Sequence, residues 1–412
     1  MSSVPLPTPA LFVTQYYRPE LIGSAPFCGD MAEWLRLNDI AVEVLTSRPH
    51  YPANEVFEEY RSGDKDREVL NEVAVRRLPT RVPKGGGALQ RAASAGYFLV
   101  QGLSLLARGA VARQALVISL SPSIFSVVLA ICARARGGRH IVLVHDIESG
   151  LAGGLGIAGG NAFIKTLRLI ERTALNRADL IVVLSEEMKR QLEALEVKRP
   201  IRTLPIWIDT KTIHPLPAPA NRPLTLLYSG NFGRKQSLHQ VLGLAGILKE
   251  TDPDIRIVLR GGGREADALA ECAREKNLDN VAFQPLAPPE RLNQALSDGD
   301  IHLVPQNPDG ADFAVPSKIY AIMAAGRPFI ATARQGSQIW RLQETTDAFL
   351  CVPPDDPQAF ATAVRRLAAD PVLRNRLGQH GRAYVETHHT KANVLREFMN
   401  AVTQCDSNRK ET

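Results

Sequence analysis
The sequence predicts an α/β protein of two doubly wound units, on three observations. Short apolar runs alternate with segments of helical periodicity along most of the chain, the pattern of parallel strands covered on both faces. The 412 residues, 45% of them hydrophobic, exceed one ordinary domain and are enough for two cores. Pro205, Pro215, Pro217, Pro219 and Pro223 crowd one segment, which reads as a stiff connector. The expected organisation is an N-terminal unit over 1–208, a linker over 209–223, a second unit over 224–390, and a terminal helix and tail over 391–412.

In the first unit, Ala10 to Tyr16 reads as a strand, followed by a loop through Tyr17 to Ser24 and a helix from Pro26 to Asn38. A dinucleotide-binding GxGxxG is missing from that loop, although Gly23 lies in it. Ile40 to Thr46 and Val73 to Leu78 are the next strands, separated by a long loop that carries Arg48-Pro49-His50-Tyr51-Pro52. Leu89 to Arg113 is an amphipathic helix with a broad apolar face, fit for a core or for lying in a membrane surface. Serines and Pro122 interrupt the apolar stretch Ala115 to Cys132, which favours a strand and a helix over a membrane span. His140 to Val144 delivers His145 and Asp146 to a carboxyl strand end, where doubly wound sheets place ligands. There a histidine and an aspartate can serve sugar hydroxyls or phosphates, or simply tie down a neighbouring loop. The glycine loop Leu151 to Gly160 follows, then a helix over Asn161 to Asn176, a strand over Leu180 to Leu184 and a helix over Glu186 to Leu195.

The second unit opens on its most informative stretch. Leu224 to Tyr228 is a buried strand, Ser229-Gly230-Asn231-Phe232-Gly233 a turn tolerant of positive φ, and a helix is expected to open at Gln236 or Ser237. Unpaired N–H groups and a positive dipole end would then face the glycine turn beside Arg234 and Lys235, a device that binds phosphate. The same residues also fit a plain strand-to-helix corner with two solvated cations. Ile255 to Leu259 leads into Gly261-Gly262-Gly263, and Val281 to Gln284 and Ile301 to Val304 repeat the strand pattern. Asp298-Gly299-Asp300 has the look of a metal-binding DxD but precedes a strand, so it reads as a turn, and no metal site is expected. Pro316 and Ser317 start a helix whose first turn carries Lys318, a second anion site, with Asp312 in the loop before it. That helix ends at Gly326 before Pro328, Phe329 to Thr332 is a strand, and a last helix spans Asn393 to Gln404.

Charge and cysteines narrow the setting. From Val73 to His145 there is no acidic residue, while Arg76, Arg77, Arg81, Lys84, Arg91, Arg108, Arg113, Arg134, Arg136 and Arg139 make ten cations. Such a patch suits an anionic membrane surface; nucleic acid is disfavoured, since no helix-turn-helix, zinc or RNP pattern accompanies it. Cys28, Cys132, Cys272, Cys351 and Cys405 form no CxxC pair, which argues against a disulfide framework or zinc and for a reducing cytoplasm. No signal peptide is apparent, so the chain is expected to stay inside, peripheral to the cell membrane.

Tyr228 to Gln236, the Gly261 to Gly263 loop, Pro316-Ser317-Lys318 and Ala324-Ala325-Gly326-Arg327-Pro328 together resemble the retaining GT-B glycosyltransferases of family 4. More narrowly they resemble the colanic-acid-type exopolysaccharide transferases, over Phe12 to about Phe398. The resemblance implies two Rossmann-like domains facing across a cleft, with a C-terminal helix packing back. It also implies a nucleotide-diphosphate sugar as donor, a lipid-linked saccharide as acceptor, and no cofactor or metal. By the same resemblance Lys235 and Arg234 would neutralise the donor diphosphate, and Pro316, Ser317 and Lys318 would hold it from the other side. Gly23, Gly230, Asn231, Gly261, Gly262 and Gly263 would let the donor approach the backbone. Asp312 would meet the donor sugar, with His145 and Asp146 facing sugar and acceptor. The family's E-x7-E pair is not matched, because Asp312 is followed by Tyr320 and Ala321 where the second carboxylate stands. Two other classes use parts of this pattern: a sugar-nucleotide epimerase of the same fold, and a non-catalytic membrane adaptor.

Overall fold
The computed structural model describes residues 9–20, 24–50, 55–82, 88–121, 123–150, 160–219, 222–307 and 317–410. The chain divides into two compact units, one of Met1–Leu204 with Leu395–Thr412 and one of Pro205–Val394. The proline-rich segment thus belongs to the second unit. The terminal helix Lys391–Lys410 starts in the second unit and is grouped from Leu395 onward with the first.

The first unit holds an eight-stranded sheet of β1 (Ala10–Val13), β2 (Val42–Ser47), β3 (Arg67–Leu70), β4 (Val73–Leu78), β5 (Gln114–Ser121), β6 (Arg134–Val144), β7 (Leu180–Val183) and β8 (Ile201–Thr203). Their order is β3-β4-β2-β1-β5-β6-β7-β8, parallel except where β3 pairs antiparallel with β4. The order reverses direction beside β1, which pairs with β2 on one side and β5 on the other. Ligands bind at such a switch in open α/β sheets. All four residues of β1 are buried, as expected of a central strand covered on both faces. Phe98 of the helix Ala88–Ala107 packs into the core with Leu11, Val13, Val117 and Leu129. Gly102 of that helix permits the approach, since a Cβ there would lie 2.3 Å from Leu129 Cδ2.

The second unit is an all-parallel sheet of β9 (Thr225–Asn231), β10 (Arg256–Gly262), β11 (Val281–Gln284), β12 (Ile301–Val304), β13 (Phe329–Thr332) and β14 (Leu350–Val352), in the order β11-β10-β9-β12-β13-β14. Its core joins Leu226, Tyr228 and Phe232 to Leu242 and Leu248 of the helix His239–Thr251 and Phe360 of the helix Pro357–Ala369. Asp298 and Asp300 are engaged by arginines: Asp298 pairs with Arg260 at 2.9 Å, and Asp300 pairs with Arg222 at 2.8 Å while accepting from Thr225 N at 2.8 Å.

Candidate functional site
The carboxyl ends of β9 and β10 are zipped by glycine. Gly230 pairs with Gly261 and Asn231 with Gly262. Gly230, Gly261 and Gly263 have φ of 144°, 148° and 148°, where a side chain is strained. A Cβ on Gly261 would lie 1.8 Å from the Gly230 carbonyl oxygen, and one on Gly263 would lie 2.5 Å from Asn231 Oδ1 and from Phe232 O. Phe232 N donates to Gly262 O at 2.8 Å and Glu265 N to Phe232 O at 3.1 Å. Gly261 and Gly263 are therefore required by the chain's own packing. Only Gly262, where a Cβ would meet nothing within 4 Å, leaves open space for a ligand.

Beyond β9 the structure corrects the expected helix start. Arg234–Gln236 is a single 3-10 turn, Ser237 is left-handed at φ 46°, and the helix begins at His239 with Leu238 as its N-cap. Leu238 is wholly buried, so core packing places that corner rather than a serine cap. Arg234 is exposed and Lys235 half-buried. The Lys235 carbonyl accepts from Asn307 N at 2.8 Å, which ties the turn to the segment after β12. Gln240, which sequence reasoning passed over, is buried and braces the same edge: its Nε2 donates to Gln306 O at 3.0 Å and its Oε1 accepts from Asp355 N at 3.2 Å.

The helix Lys318–Ala324 is one of seven residues, and its N-cap Ser317 is exposed and makes no side-chain cap bond. The Lys318 stem is half-exposed, but its ammonium is buried and has no hydrogen-bond partner among the described residues. It lies 3.7 Å from the centre of the Tyr228 ring and 3.2 Å from the point where a Gly230 Cβ would stand. Burial pushes the amine down to about 7, while the ring's negative face favours the charged form. The Tyr228 hydroxyl donates to Asn231 O at 2.6 Å, which holds the ring in place, and burial pushes its phenol up. Tyr320, at the family's second-carboxylate position, is buried and stacked on His389 with ring centres 4.0 Å apart. Gly23, Asp312 and Pro316 lie outside the described residues.

In the first unit, His145 and Asp146 do follow the carboxyl end of β6. His145 N donates to Ser121 O at 3.2 Å, and its ring meets Phe27 edge-on at 5.9 Å. Burial lowers its pKa to about 4, so the ring is neutral. The turn after it is held by Glu171, another residue missed in the sequence. Glu171 is buried on the helix Gly160–Leu175, accepts from Glu148 N at 3.1 Å and from the Ser149 hydroxyl, and is pushed up by burial. A buried Glu that caps a turn across more than twenty residues leaves no periodic signal. Of the expected glycine loop Leu151 to Gly160, residues 151–159 lie outside the described residues, and Gly160 opens the helix Gly160–Leu175.

The ten-cation patch needs correction too. Arg76 pairs with Glu43 at 2.7 Å, the buried Arg77 with Glu68 at 2.5 Å, and Arg134 with Asp179 at 2.8 Å. Acids absent from the segment itself arrive from neighbouring strands and loops. Lys84 lies outside the described residues. Arg91, Arg108 and Arg113 are exposed, and on the helix Ala88–Ala107 Val100 and Leu103 are 62% and 36% exposed. Among the described residues no helix is long and apolar enough to cross a membrane.

Two α/β units, the second with a glycine-zipped strand edge beside a buried ammonium, define the class of fold, and comparison with known proteins gives the family. Residues 209–384 match the model for glycosyl transferases group 1, and residues 23–207 that for a glycosyl transferase 4-like domain. The chain is 30% identical over 404 residues to the "Putative colanic acid biosynthesis glycosyl transferase WcaI" of Escherichia coli (strain K12), covering 94% of this chain and 97% of that one. Sucrose-phosphate synthase (tll1590) from Thermosynechococcus elongatus superposes with a TM-score of 0.78 at 19% identity, covering 97% of this chain and 100% of that one. Anabaena Alr3699/HepE in complex with UDP-glucose does so with 0.70 at 12% identity, covering 96% and 99%. The chain belongs to the family-4-type glycosyltransferases and has the GT-B fold.

Proposed function
We propose that this glycosyltransferase moves a sugar, with retention and without a metal, from a nucleotide-diphosphate sugar to a lipid-linked saccharide in bacterial exopolysaccharide or lipopolysaccharide synthesis. The E. coli relative is named for colanic acid biosynthesis, and HepE is described in complex with UDP-glucose. The observation that carries the reading is the Lys318 ammonium, buried beside Gly230 without a hydrogen-bond partner among the described residues. A buried cation without a hydrogen-bond partner is disfavoured, and a diphosphate at the end of β9 would supply an anion for it.

In this reading Lys318, Lys235 and Arg234 balance the charge that grows on the leaving diphosphate, so cations do the work a metal does elsewhere. Ser317 and Pro316 flank the same phosphates, and Gly230, Asn231 and Gly262 admit the donor to the backbone. On the second unit Asp312 is assigned to the donor sugar; on the first unit the residues assigned to sugar and acceptor are His145, neutral at pH 7, and Asp146. The exposed Arg91, Arg108 and Arg113, on a unit that also exposes Val100 and Leu103, dock it on anionic lipid at the inner face of the membrane. The test is a screen of thermal stabilisation by uridine, guanosine and thymidine diphosphates. At least one should raise the melting temperature of the wild type and fail to raise that of Lys318→Met; stabilisation by none would refute the reading.

A further inference from the structure
The edge strand β11 is unusually open: Ala282, Phe283 and Gln284 are all exposed. Its last residue, Gln284, stands in register with Arg260 of β10, immediately before the glycine loop. Arg260 is buried, and each nitrogen of its guanidinium donates a hydrogen bond. One Nη donates to Ala295 O at 2.8 Å, the other to Asp298 Oδ2 at 2.9 Å and to Gln284 Oε1 at 2.9 Å, and Nε also reaches Gln284 Oε1 at 3.2 Å. A guanidinium only donates, so the side-chain carbonyl of Gln284 must face it. The amide N–H pair is thereby turned away from Arg260 at the carboxyl end of the strand. Between this amide and the end of β9 lie β10 and the open space at Gly262. Two ladder steps separate β11 from β9, about 10 Å, a gap that a ribose and its base bridge.

We infer that Gln284 reads the nucleobase of the donor, donating from its amide to the carbonyl that uracil and thymine carry at position 4 and guanine at position 6. Cytosine and adenine carry an amino group there and offer no acceptor. Arg260 is the positioning residue that holds the amide in this sense. The inference rests on the donor site proposed above and adds the class of base to it. A site built to hydrogen-bond one edge rejects the edge lacking the partner, because its own polar group is left unpaired.

Gln284→Glu separates reading from folding. The carboxylate still accepts from Arg260 but presents no N–H. Calorimetric binding of UDP, dTDP, GDP, CDP and ADP to the full chain provides the readout, taken as ratios so that any uniform effect of the new charge cancels. The wild type should bind UDP, dTDP or GDP at least tenfold more tightly than CDP and ADP. Gln284→Glu should melt no lower than the wild type and reduce that ratio tenfold or more. A wild type that prefers CDP or ADP, or a ratio unchanged in the variant, would overturn the inference while leaving the donor site standing. A wild type that binds none of the five would overturn the donor site and this inference together.

Discussion
The ammonium of Lys318 rests 3.7 Å from the centre of the Tyr228 ring, joining two residues that lie ninety positions apart in the sequence. Cation–π contact of a desolvated ammonium contributes about 2 kcal/mol, much less than the hydration it has lost, so the amine sits near 7 rather than at its ordinary 10.5. An arriving diphosphate should raise it again. Below pH 7 the amine is charged with or without donor, and affinity gains nothing from it as pH changes. Above pH 7 binding takes up a proton, and affinity falls as pH rises toward the pKa of the bound state. Nucleotide-sugar affinity measured by calorimetry should therefore drop between pH 7 and 9, and Lys318→Arg, charged throughout, should flatten that drop.

The glycine loop separates structural from ligand-facing positions. Gly261→Ala forces a Cβ into the Gly230 carbonyl at φ 148°, and should destabilise the protein by about 2 kcal/mol or more. Gly262→Ala should melt as the wild type does and weaken nucleotide binding alone. Thermal melts with and without nucleotide distinguish the two; equal melting of both variants would contradict the packing described for β9 and β10.

Burial lowers the pKa of five histidines, His140 to about 3, His145, His302 and His389 to about 4, and His50 as well. All are lowered from an unfolded value of 6.5, so the unfolded chain binds more protons and stability rises with pH across this window. Chemical denaturation should show stability lost steadily from about pH 6.5 down to pH 4, and His302→Asn should lessen the slope. A stability independent of pH between 4 and 6.5 would contradict the burial of these rings.

The ion pairs of Arg76, Arg77 and Arg134 leave the remaining exposed cations to carry the proposed membrane docking. Each contributes about 1 kcal/mol near an anionic surface at low salt. Changing Arg91, Arg108 and Arg113 to Glu should release the protein from vesicles of phosphatidylglycerol in co-sedimentation, while Arg76→Gln should mainly lower stability. Vesicle binding unchanged by the triple substitution would remove this face from the interface.

Strands were legible in the sequence because central parallel strands are apolar on both faces, as in Ala10–Val13 and Leu226–Tyr228. β3 was not, because Arg-Glu-Val-Leu is half-exposed and its hairpin turns through Asn71 and Glu72 at φ of 48° and 64° without a glycine. The helices Pro357–Ala369 and Pro371–His388 were passed over although Asp356 and Asp370 cap them ahead of a proline, a signal present in the sequence. The two cations beside the glycine turn were visible as local spacing. The partners of Lys318, Arg260, Glu171 and Arg76 were not, since each comes from a distant segment and leaves no period to read.

Lys235 gives the most direct test of the donor site. If its ammonium balances charge that grows on the leaving diphosphate, its loss harms the transition state more than the ground state. Removing one such electrostatic partner costs about 3 to 4 kcal/mol, a hundredfold to a thousandfold in rate. The decisive measurement is kcat for sugar transfer by Lys235→Ala at saturating donor, taken with its melting temperature. The donor-site reading predicts a fall of at least a hundredfold with melting close to wild type; transfer within threefold of wild type would contradict it and return the end of β9 to a plain strand-to-helix corner.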